Sequence, residues 1–308
     1  MLRFLSALLF LSAPSLSTAV EMSESAPLAA KSLLLDVAAA GSNFVAVGDR
    51  GHVLLSTDDG QTWQQCAAPT RAMLTGVAFA TPDRGWAVGH DGVILATTDG
   101  GRTWQRQDRG DDLDTVYLDV LFLDATRGFA VGAYGKFLAT TDGGATWTEH
   151  RVAEEDFHFN RIVRAPNEVL YLLGEAGTFL VSTDGGTSWI RRALPYEGTL
   201  FAGMAFDDDR IVVGGLRGRI LASPDRGETW REIPNPHTVL ICASTRLADG
   251  TTVFAGQGGN FFICRAGEMT FTHWKPEGFG TSIAEIISTS SDKLISVGEA
   301  GVVLHHLP

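Results

Sequence analysis

The sequence predicts an all-β protein, a seven-bladed β-propeller whose blades are four-stranded antiparallel sheets. The first observation is a repeat: the segment TTDGGRTW, residues 97–104, recurs with small changes from Ser56, Thr140, Ser182 and Ser223, at steps of 41 to 43 residues. The second is that apolar residues within each repeat alternate with a period of two, which is typical of strands. Four strands in about 42 residues, repeated seven times, is the arrangement of a β-propeller.

The elements of one repeat follow in a fixed order. In the second repeat, LTGVAFA (74–80), GWAVG (85–89), GVILAT (92–97) and TWQRQ (103–107) predict four short strands. Glycine, aspartate and asparagine mark the turns between such strands. The same strand pattern in the other repeats predicts blades at residues 32–66, 73–108, 115–151, 158–193, 199–233, 238–275 and 282–308.

The last repeat ends after its third predicted strand, near Leu307. We therefore expect residues 21–30 to supply the missing fourth strand and to close the ring within a propeller domain at 20–308. Deletion of residues 20–31 is expected to lower the melting temperature sharply.

The first 19 residues have the composition of a signal peptide. A short basic start is followed by the apolar run FLSALLFLSAPSL and by small residues before a predicted cut after Ala19. A membrane anchor is the alternative, although the run is short for a bilayer span. We expect a periplasmic or secreted monomer with no membrane span after the cut. The net charge of −12 disfavours binding to nucleic acid or anionic lipid.

The repeated eight-residue segment, here called the box, joins the third and fourth strands of its blade. A short aspartate side chain accepts hydrogen bonds from nearby backbone N–H groups and so braces a tight turn, and a tryptophan adds a large buried area. Each box brings too few carboxylates for calcium, and its aspartates are spread around a ring, too far apart for a catalytic pair. We expect structural roles for Asp58, Asp99, Asp142, Asp184 and Asp225, and for Trp63, Trp104, Trp147, Trp189 and Trp230.

These boxes resemble the Asp-box, or bacterial neuraminidase repeat, with its pattern Ser/Thr-x-Asp-x-Gly-x-Thr-Trp. The longer units DRGWAVGHDGVILATTDGGRTW (Asp83–Trp104) and TRGFAVGAYGKFLATTDGGATW (Thr126–Trp147) resemble the photosystem II stability/assembly factor family. The resemblance covers nearly all of residues 31–308. It implies a seven-bladed propeller that binds a membrane-protein subunit during assembly, with no catalysis and no cofactor.

The resemblance also implies a basic patch that meets the partner in photosynthetic members. The candidate arginines of this chain are scattered instead, at Arg50, Arg71, Arg191, Arg192 and Arg217. We therefore expect the partner to be a subunit of an envelope membrane-protein complex, for which the chain is an assembly factor, stability factor or accessory subunit.

The turns between second and third strands share one face with the loops between blades, and loops that vary are where binding usually resides. This face predicts the candidate partner-binding residues Arg50, His90, Asp91, Asp111, Asp112, Tyr134, Glu154, Glu155, Glu175 and Arg217. Acidic residues dominate the loops at 108–114 and 154–156. They form either a patch for a cationic protein segment or a metal, or solvated loops that keep the protein soluble.

A secreted glycoside hydrolase of the sialidase type is the alternative function, because such enzymes also carry Asp-boxes. The expected arginine triad and Tyr–Glu pair are not evident, and Tyr134 with Glu175 is the nearest candidate pair. The adjacent His305 and His306 are expected at a surface or a strand end, since neighbouring side chains of a strand point to opposite faces. The three cysteines suit small buried thiols better than a disulfide framework.

Overall fold

The computed structural model describes residues 21–107, 113–268, 270–290 and 293–308. Within these ranges, 27 strands form seven antiparallel sheets arranged as the blades of a propeller, and the only helices are single 3-10 turns. The predicted all-β class and seven-bladed architecture are confirmed. No helix among the described residues is long and apolar enough to cross a membrane.

The strands of the first three blades are β1 (Leu34–Ala40), β2 (Asn43–Gly48), β3 (Val53–Ser56) and β4 (Gln64–Cys66); β5 (Leu74–Phe79), β6 (Gly85–Gly89), β7 (Ile94–Thr97) and β8 (Gln105–Arg106); and β9 (Tyr117–Phe122), β10 (Gly128–Gly132), β11 (Phe137–Thr140) and β12 (Thr148–Glu149). Those of the fourth and fifth are β13 (Phe159–Arg164), β14 (Leu170–Gly174), β15 (Phe179–Ser182) and β16 (Ile190–Arg191); and β17 (Leu200–Ala205), β18 (Ile211–Gly215), β19 (Ile220–Ser223) and β20 (Arg231–Ile233). Those of the sixth and seventh are β21 (Ile241–Arg246), β22 (Thr252–Gly256), β23 (Phe261–Cys264) and β24 (Thr272–Trp274); and β25 (Ile283–Ser290), β26 (Lys293–Gly298) and β27 (Gly301–His306). The 3-10 turns span Ala29–Lys31, Asp49–Gly51, Ala133–Gly135, Leu216–Gly218 and Gln257–Gly259.

Neighbouring strands within each blade are consecutive in the chain, so every blade is an up-and-down meander. The first strand of each blade lies at the ring axis and packs beside the first strands of both adjacent blades. Each of these seven inner strands has a bulge near its start, such as the register shift between Leu34 and Asp36 in β1. A bulge re-aims the side chain that follows it, which determines what lines the axis.

The apolar core lies between adjacent blades. Val45 and Val53 of the first blade pack with Leu74 and Leu95 of the second in one cluster of buried side chains. Each fully buried side chain of this size contributes roughly 1.5–3 kcal/mol relative to its exposed state. Blade-to-blade packing is therefore a major source of the stabilisation.

The expected N-terminal closing strand is not observed. Residues 21–28 form no strand, and the seventh blade has three strands, β25 to β27, within the described residues. The N-terminal segment instead runs beside the outer part of the first blade, where Ser23 N donates to Ala68 O (2.8 Å) and Ala26 N donates to Gln65 Oε1 (2.8 Å). The segment also packs near β27, since Ala26 and Ala30 lie against the same buried cluster as Val302 and Leu304 of that strand, but it forms no strand pairing with β27.

Ring closure comes from side-chain packing between the first and seventh blades. Leu34, Phe44 and Leu54 of the first blade share a buried cluster with Ile295 and Val297 of the seventh. Because the closing contact buries the same kind of apolar surface as the other six interfaces, it needs no shared strand.

The three cysteines form no disulfide. The Cys242 Sγ on β21 donates to the main-chain oxygen of Ile283 on β25 (3.0 Å). Burial raises the pKa of Cys242 to about 12, so this thiol remains protonated and unreactive at neutral pH.

Candidate partner-binding site

The propeller has two faces with different turns. On the box face, the boxes lie beside the turns between first and second strands, and Gly143 N donates to Thr126 O (2.8 Å). On the opposite face, here the loop face, the turns between second and third strands lie beside the loops between blades, and Gly135 N donates to Phe157 O (2.9 Å). The structure therefore separates the boxes from the candidate partner-binding residues.

The box aspartates are engaged within their own hairpins. Asp142 accepts hydrogen bonds from the Thr140 hydroxyl (2.9 Å), from Thr146 N (2.9 Å) and from the Thr146 hydroxyl (2.6 Å). The equivalent three bonds reach Asp58, Asp99, Asp184 and Asp225. The Ser188 hydroxyl, which favours the carboxylate, lowers the pKa of Asp184 to about 2. These carboxylates brace turns within separate blades.

The box tryptophans hold the same hairpins from the other side. The indole Nε1 donates to a box carbonyl in the pairs Trp63–Gly60, Trp104–Gly101, Trp189–Gly186 and Trp230–Gly227. Trp147 is the exception, since its Nε1 is buried without a partner. The equivalent carbonyl in that box belongs to Gly144, and the carbonyl of the preceding Gly143 accepts from the Trp86 Nε1 (3.1 Å) of the second blade.

The loop-face turns present one side chain each at the apex. Five apex residues have left-handed backbone conformations with φ between 50° and 58°: Arg50, Asp91, Tyr134, Ala176 and Arg217. The residue after each apex is a glycine with positive φ, and a Cβ on Gly218 would in addition lie 1.8 Å from the His237 carbonyl oxygen of the adjacent loop. The glycine is thus fixed against the loop, and the apex side chain projects outward: Tyr134 is 75% exposed.

Arginine and tyrosine are unusual residues for such an apex. Turns with two successive positive φ values favour Asn-Gly or Asp-Gly, and a left-handed conformation costs other L-residues roughly 1–2 kcal/mol. Arg50, Tyr134 and Arg217 adopt it while their side chains are exposed. Such strain persists where a side chain serves another purpose.

Tyr134 and Glu175 are brought together by a residue that the sequence analysis missed. His158, in the loop between the third and fourth blades, contacts the Tyr134 ring edge-to-face with centroids 4.9 Å apart. The His158 Nδ1 lies 3.5 Å from the Glu175 Oε1, and His158 N donates to Glu175 Oε2 (3.1 Å). No recurring residue type marks its position in the sequence, because the other repeats have Leu33, Met73, Val116, Thr199, Leu240 and Ser282 there.

The other candidate residues of the loop face are more separated. His90 is half-buried beside the Asp91 apex, and its N–H donates to Met73 O (2.9 Å). Asp111 and Asp112 lie outside the described residues, so half of the expected acidic patch has no described position.

Arginines accompany the other half of the expected acidic patch. Glu155 pairs with Arg191 (3.0 Å), and Asp156 pairs with Arg151 (3.5 Å). Arg151 also donates to the Glu154 main-chain oxygen. The segment 154–156 is therefore a mixed-charge surface. The described residues contain no group of three or more His, Cys, Asp or Glu that could hold a metal ion.

A charged cluster at the ring axis was also missed. Asp36, Asp119, Arg161 and Glu285 follow the bulges of β1, β9, β13 and β25. Arg161 Nη2 lies 2.5 Å from Glu285 Oε2, and its Nε lies 3.7 Å from Asp119 Oδ2. The available signal in the sequence was a charged residue at the same aligned position of four repeats. The other three repeats have Gly76, Ala202 and Ala243 there.

The axial acids also connect adjacent blades through the backbone. Asp36 Oδ2 accepts from Val77 N (2.7 Å) and Asp119 Oδ2 accepts from Ile162 N (2.8 Å), each in the next blade. Burial raises the pKa values of Asp36, Asp119 and Glu285, and Arg161 opposes this shift. Burial alone would lower the pKa of Arg161, but the acids raise it above its usual value.

His305 lies at a strand end, one of its two expected positions, and not at the surface. It is buried, its Nε2 lies 2.7 Å from the Ser296 hydroxyl, and its ring packs on Phe261 and Phe279. Burial lowers the pKa of His305 to about 4, so it is neutral at physiological pH. His306, the next residue, is exposed, as the alternation of a strand requires.

Comparison with known proteins gives the family. The sequence model of the photosynthesis system II assembly factor YCF48 matches residues 61–116 and 107–288. The chain belongs to the YCF48 family. This confirms the resemblance seen in the repeated units, and no curated protein sequence matches the chain.

Solved structures agree on the fold. A structure titled YCF48 bound to D1 peptide has a TM-score of 0.75 at 20% identity, covering 90% of this chain and 94% of that one. YCF48 from Cyanidioschyzon merolae has a TM-score of 0.72 at 20% identity, with coverages of 90% and 96%. The WD40 propeller domain of Doa1 has a TM-score of 0.70 at 14% identity, covering 93% and 95%. At these identities the likeness shows the fold, which is shared by proteins with unrelated functions.

Proposed function

We propose that the protein is a non-catalytic binding propeller that acts as an assembly or stability factor, or accessory subunit, for an envelope membrane-protein complex. Membership of the YCF48 family and the relative that binds a D1 peptide support a protein partner. The box aspartates are occupied within separate hairpins, which argues against their use as a catalytic pair.

We propose the loop face as the surface that binds this partner. The observation that carries the proposal is the left-handed conformation of Arg50, Tyr134 and Arg217, which places their exposed side chains at the apices of the loop-face turns. Arginine and tyrosine are also the residues enriched at binding hot spots. Asp91, His90, Glu175 and the mixed-charge segment 154–156 would extend the surface around them.

We further propose that the protein acts in the periplasm. The support is the sequence of residues 1–19, which lie outside the described residues. N-terminal sequencing of the protein purified from cells should give Val20 as its first residue. A protein that retains Met1 and partitions with membranes would instead indicate an anchor.

The experiment that tests the binding surface is crosslinking in intact cells, followed by detergent extraction and affinity purification of the tagged protein. A specific envelope protein in stoichiometric yield is expected. The triple substitution Arg50→Asn, Tyr134→Asn and Arg217→Asn should abolish its recovery, because asparagine tolerates the apex conformation but removes the large side chains.

Arg226→Asn is the matched control, since Arg226 is a left-handed arginine (φ 58°) on the box face. It should leave the partner bound. Equal loss with both variants would reject the loop face, and hydrolysis of aryl glycosides by the purified protein would reject the non-catalytic assignment.

A further inference from the structure

A groove of about 160 Å³ opens on the box face between the fifth and sixth blades. Its floor is apolar and contains Phe206, Val212, Ala222, Ile233 and Phe271. Phe206, Ala222 and Ile233 are more than 90% buried. The volume is close to that of an apolar cavity that accommodates one benzene molecule.

The groove coincides with the place where the sixth repeat has lost its box. In alignment with the fifth repeat, Ala266 occupies the aspartate position and Phe271 the tryptophan position. Alanine cannot accept the bonds that brace the other hairpins. Here the Cys264 thiol donates to the Glu268 main-chain oxygen (3.4 Å) instead. Phe271 is smaller than the tryptophan it replaces, so the space beside it is left open.

The rim of the groove is strongly basic in an otherwise acidic chain. Four arginines and one acid, Glu268, line it, whereas the whole chain has a net charge of −12. The four arginines are Arg210, Arg231, Arg246 and Arg265. Positive charge at this density is not explained by solubility, which the surrounding acidic surface already provides.

Two of these arginines are available to a ligand. Arg210 pairs with Asp208 (2.7 Å), and Arg265 donates to the Pro308 main-chain oxygen (3.1 Å). Arg231 and Arg246 form no ion pair with any described residue. The Arg246 guanidinium lies over the Phe206 ring, 5.1 Å from its centroid, which holds it beside the apolar floor.

We propose that this groove binds an organic carboxylate whose apolar body is about the size of one aromatic ring. The body would fill the floor formed by Phe206, Ile233 and Phe271, and Arg231 and Arg246 would hold the carboxylate at the rim. Arginine suits this role because its planar fork matches a carboxylate. The carboxylate belongs either to a free small acid or to the last residue of a peptide. The site is on the face opposite the proposed partner surface and does not depend on it.

The test is titration of the full-length protein with benzoate by isothermal calorimetry and by NMR shifts. Binding in the millimolar range or tighter is expected. Benzamide, which lacks the carboxylate, and inorganic phosphate, which lacks the apolar ring, should each bind more weakly by about tenfold or more. The double variant Arg231→Gln/Arg246→Gln should weaken benzoate binding by about tenfold or more. Arg102→Gln/Arg127→Gln, two exposed arginines of other blades on the box face, should leave it unchanged.

Phe271→Trp restores the box residue and should fill the groove. It is expected to abolish benzoate binding while the thermal transition stays cooperative and at or above the original temperature, which separates lost binding from lost folding. The proposal is overturned if benzoate fails to bind, if phosphate binds equally well, or if benzoate still binds to this variant.

The source of the carboxylate is decided with the tripeptide Gly-Gly-Phe and its C-terminal amide. Binding of the free acid at least tenfold tighter than benzoate, with no binding of the amide, assigns the site to a peptide end. Benzoate binding as tight as that of the tripeptide assigns it to a free acid. These titrations of the groove do not depend on whether the protein captures a partner in cells, so the two proposals can fail separately.

Discussion

The Arg161 guanidinium lies 2.5 Å from the Glu285 carboxylate, and this ion pair joins the fourth and seventh blades across the ring axis. Asp119 and Asp36 complete the cluster, so three buried carboxyl groups share one cation. The stability of a protein with such partly compensated buried charges depends on the cation that pairs with them and on pH. Removing the cation should therefore change how stability depends on pH.

Replacing Arg161 with methionine should destabilise the protein at pH 8 by about 3–5 kcal/mol, because buried carboxylates then lack their cation. Burial already raises the pKa values of Asp36, Asp119 and Glu285, and loss of Arg161 raises them further. For acids with raised pKa values, the stabilisation is complete below about pH 4 and is lost as the pH rises through the folded-state pKa. Urea unfolding should therefore show a smaller loss at pH 5 than at pH 8.

Arg219→Met is the control for the axial substitution. Arg219 forms an exposed ion pair with Glu232, and such pairs contribute about 0–1 kcal/mol. Its effect should be small at both pH values. A loss of stability in Arg161→Met that is equal at pH 5 and pH 8 would contradict the proposed coupling to the carboxyl groups.

The first box offers a matched pair of aspartates. Asp58 accepts bonds from the Thr62 hydroxyl and main chain, which lower its pKa, whereas the side chain of Asp59 makes no hydrogen bond among the described residues. Asp58→Asn should lower the melting temperature by about 2–4 °C at pH 7, and Asp59→Asn should not. Because the pKa of Asp58 is depressed, its stabilisation is present above about pH 4 and is lost as the pH falls through the folded-state value. A scan of melting temperature against pH should show Asp58→Asn converging with the unmodified protein below that point, while Asp59→Asn follows the unmodified protein throughout.

Gln65 holds the N-terminal segment. Its Oε1 accepts from Ala26 N (2.8 Å) and its Nε2 donates to Glu24 O (2.8 Å). Gln65→Ala should speed hydrogen exchange at Ala26 and cost about 1–2 kcal/mol. Gln64→Ala, at the exposed neighbouring position, should do neither. Unchanged exchange in Gln65→Ala would mean that other contacts fix the segment.

Arg217→Asn should raise stability by up to about 1 kcal/mol, because asparagine adopts the left-handed apex conformation more readily than arginine. Ala176→Asn, at the same place in the fourth blade, should give a similar gain. The two should differ in function: only Arg217→Asn should weaken capture of the partner. Chemical denaturation measures the first effect and affinity purification the second; weakened capture by both variants would contradict a specific role for the arginine.

The sequence by itself determined the number of blades, the positions of the turns and the hydrogen-bonded boxes. These features are local and repeat: Asp142 reaches Thr140 and Thr146, and Gly218 follows its apex by one residue. Sequence spacing alone brings such groups together, because they lie within a few residues of each other.

The tertiary structure decided what depends on distant residues. It placed Arg161 beside Glu285, held the N-terminal segment to Gln65 without strand pairing to β27, and paired Glu155 with Arg191. It also opened the groove beside Phe271, whose floor comes from two blades. The side chains that meet at the axis and between blades are set by ring closure and by the bulges that aim them. No local pattern encodes those contacts, since the partners belong to different repeats.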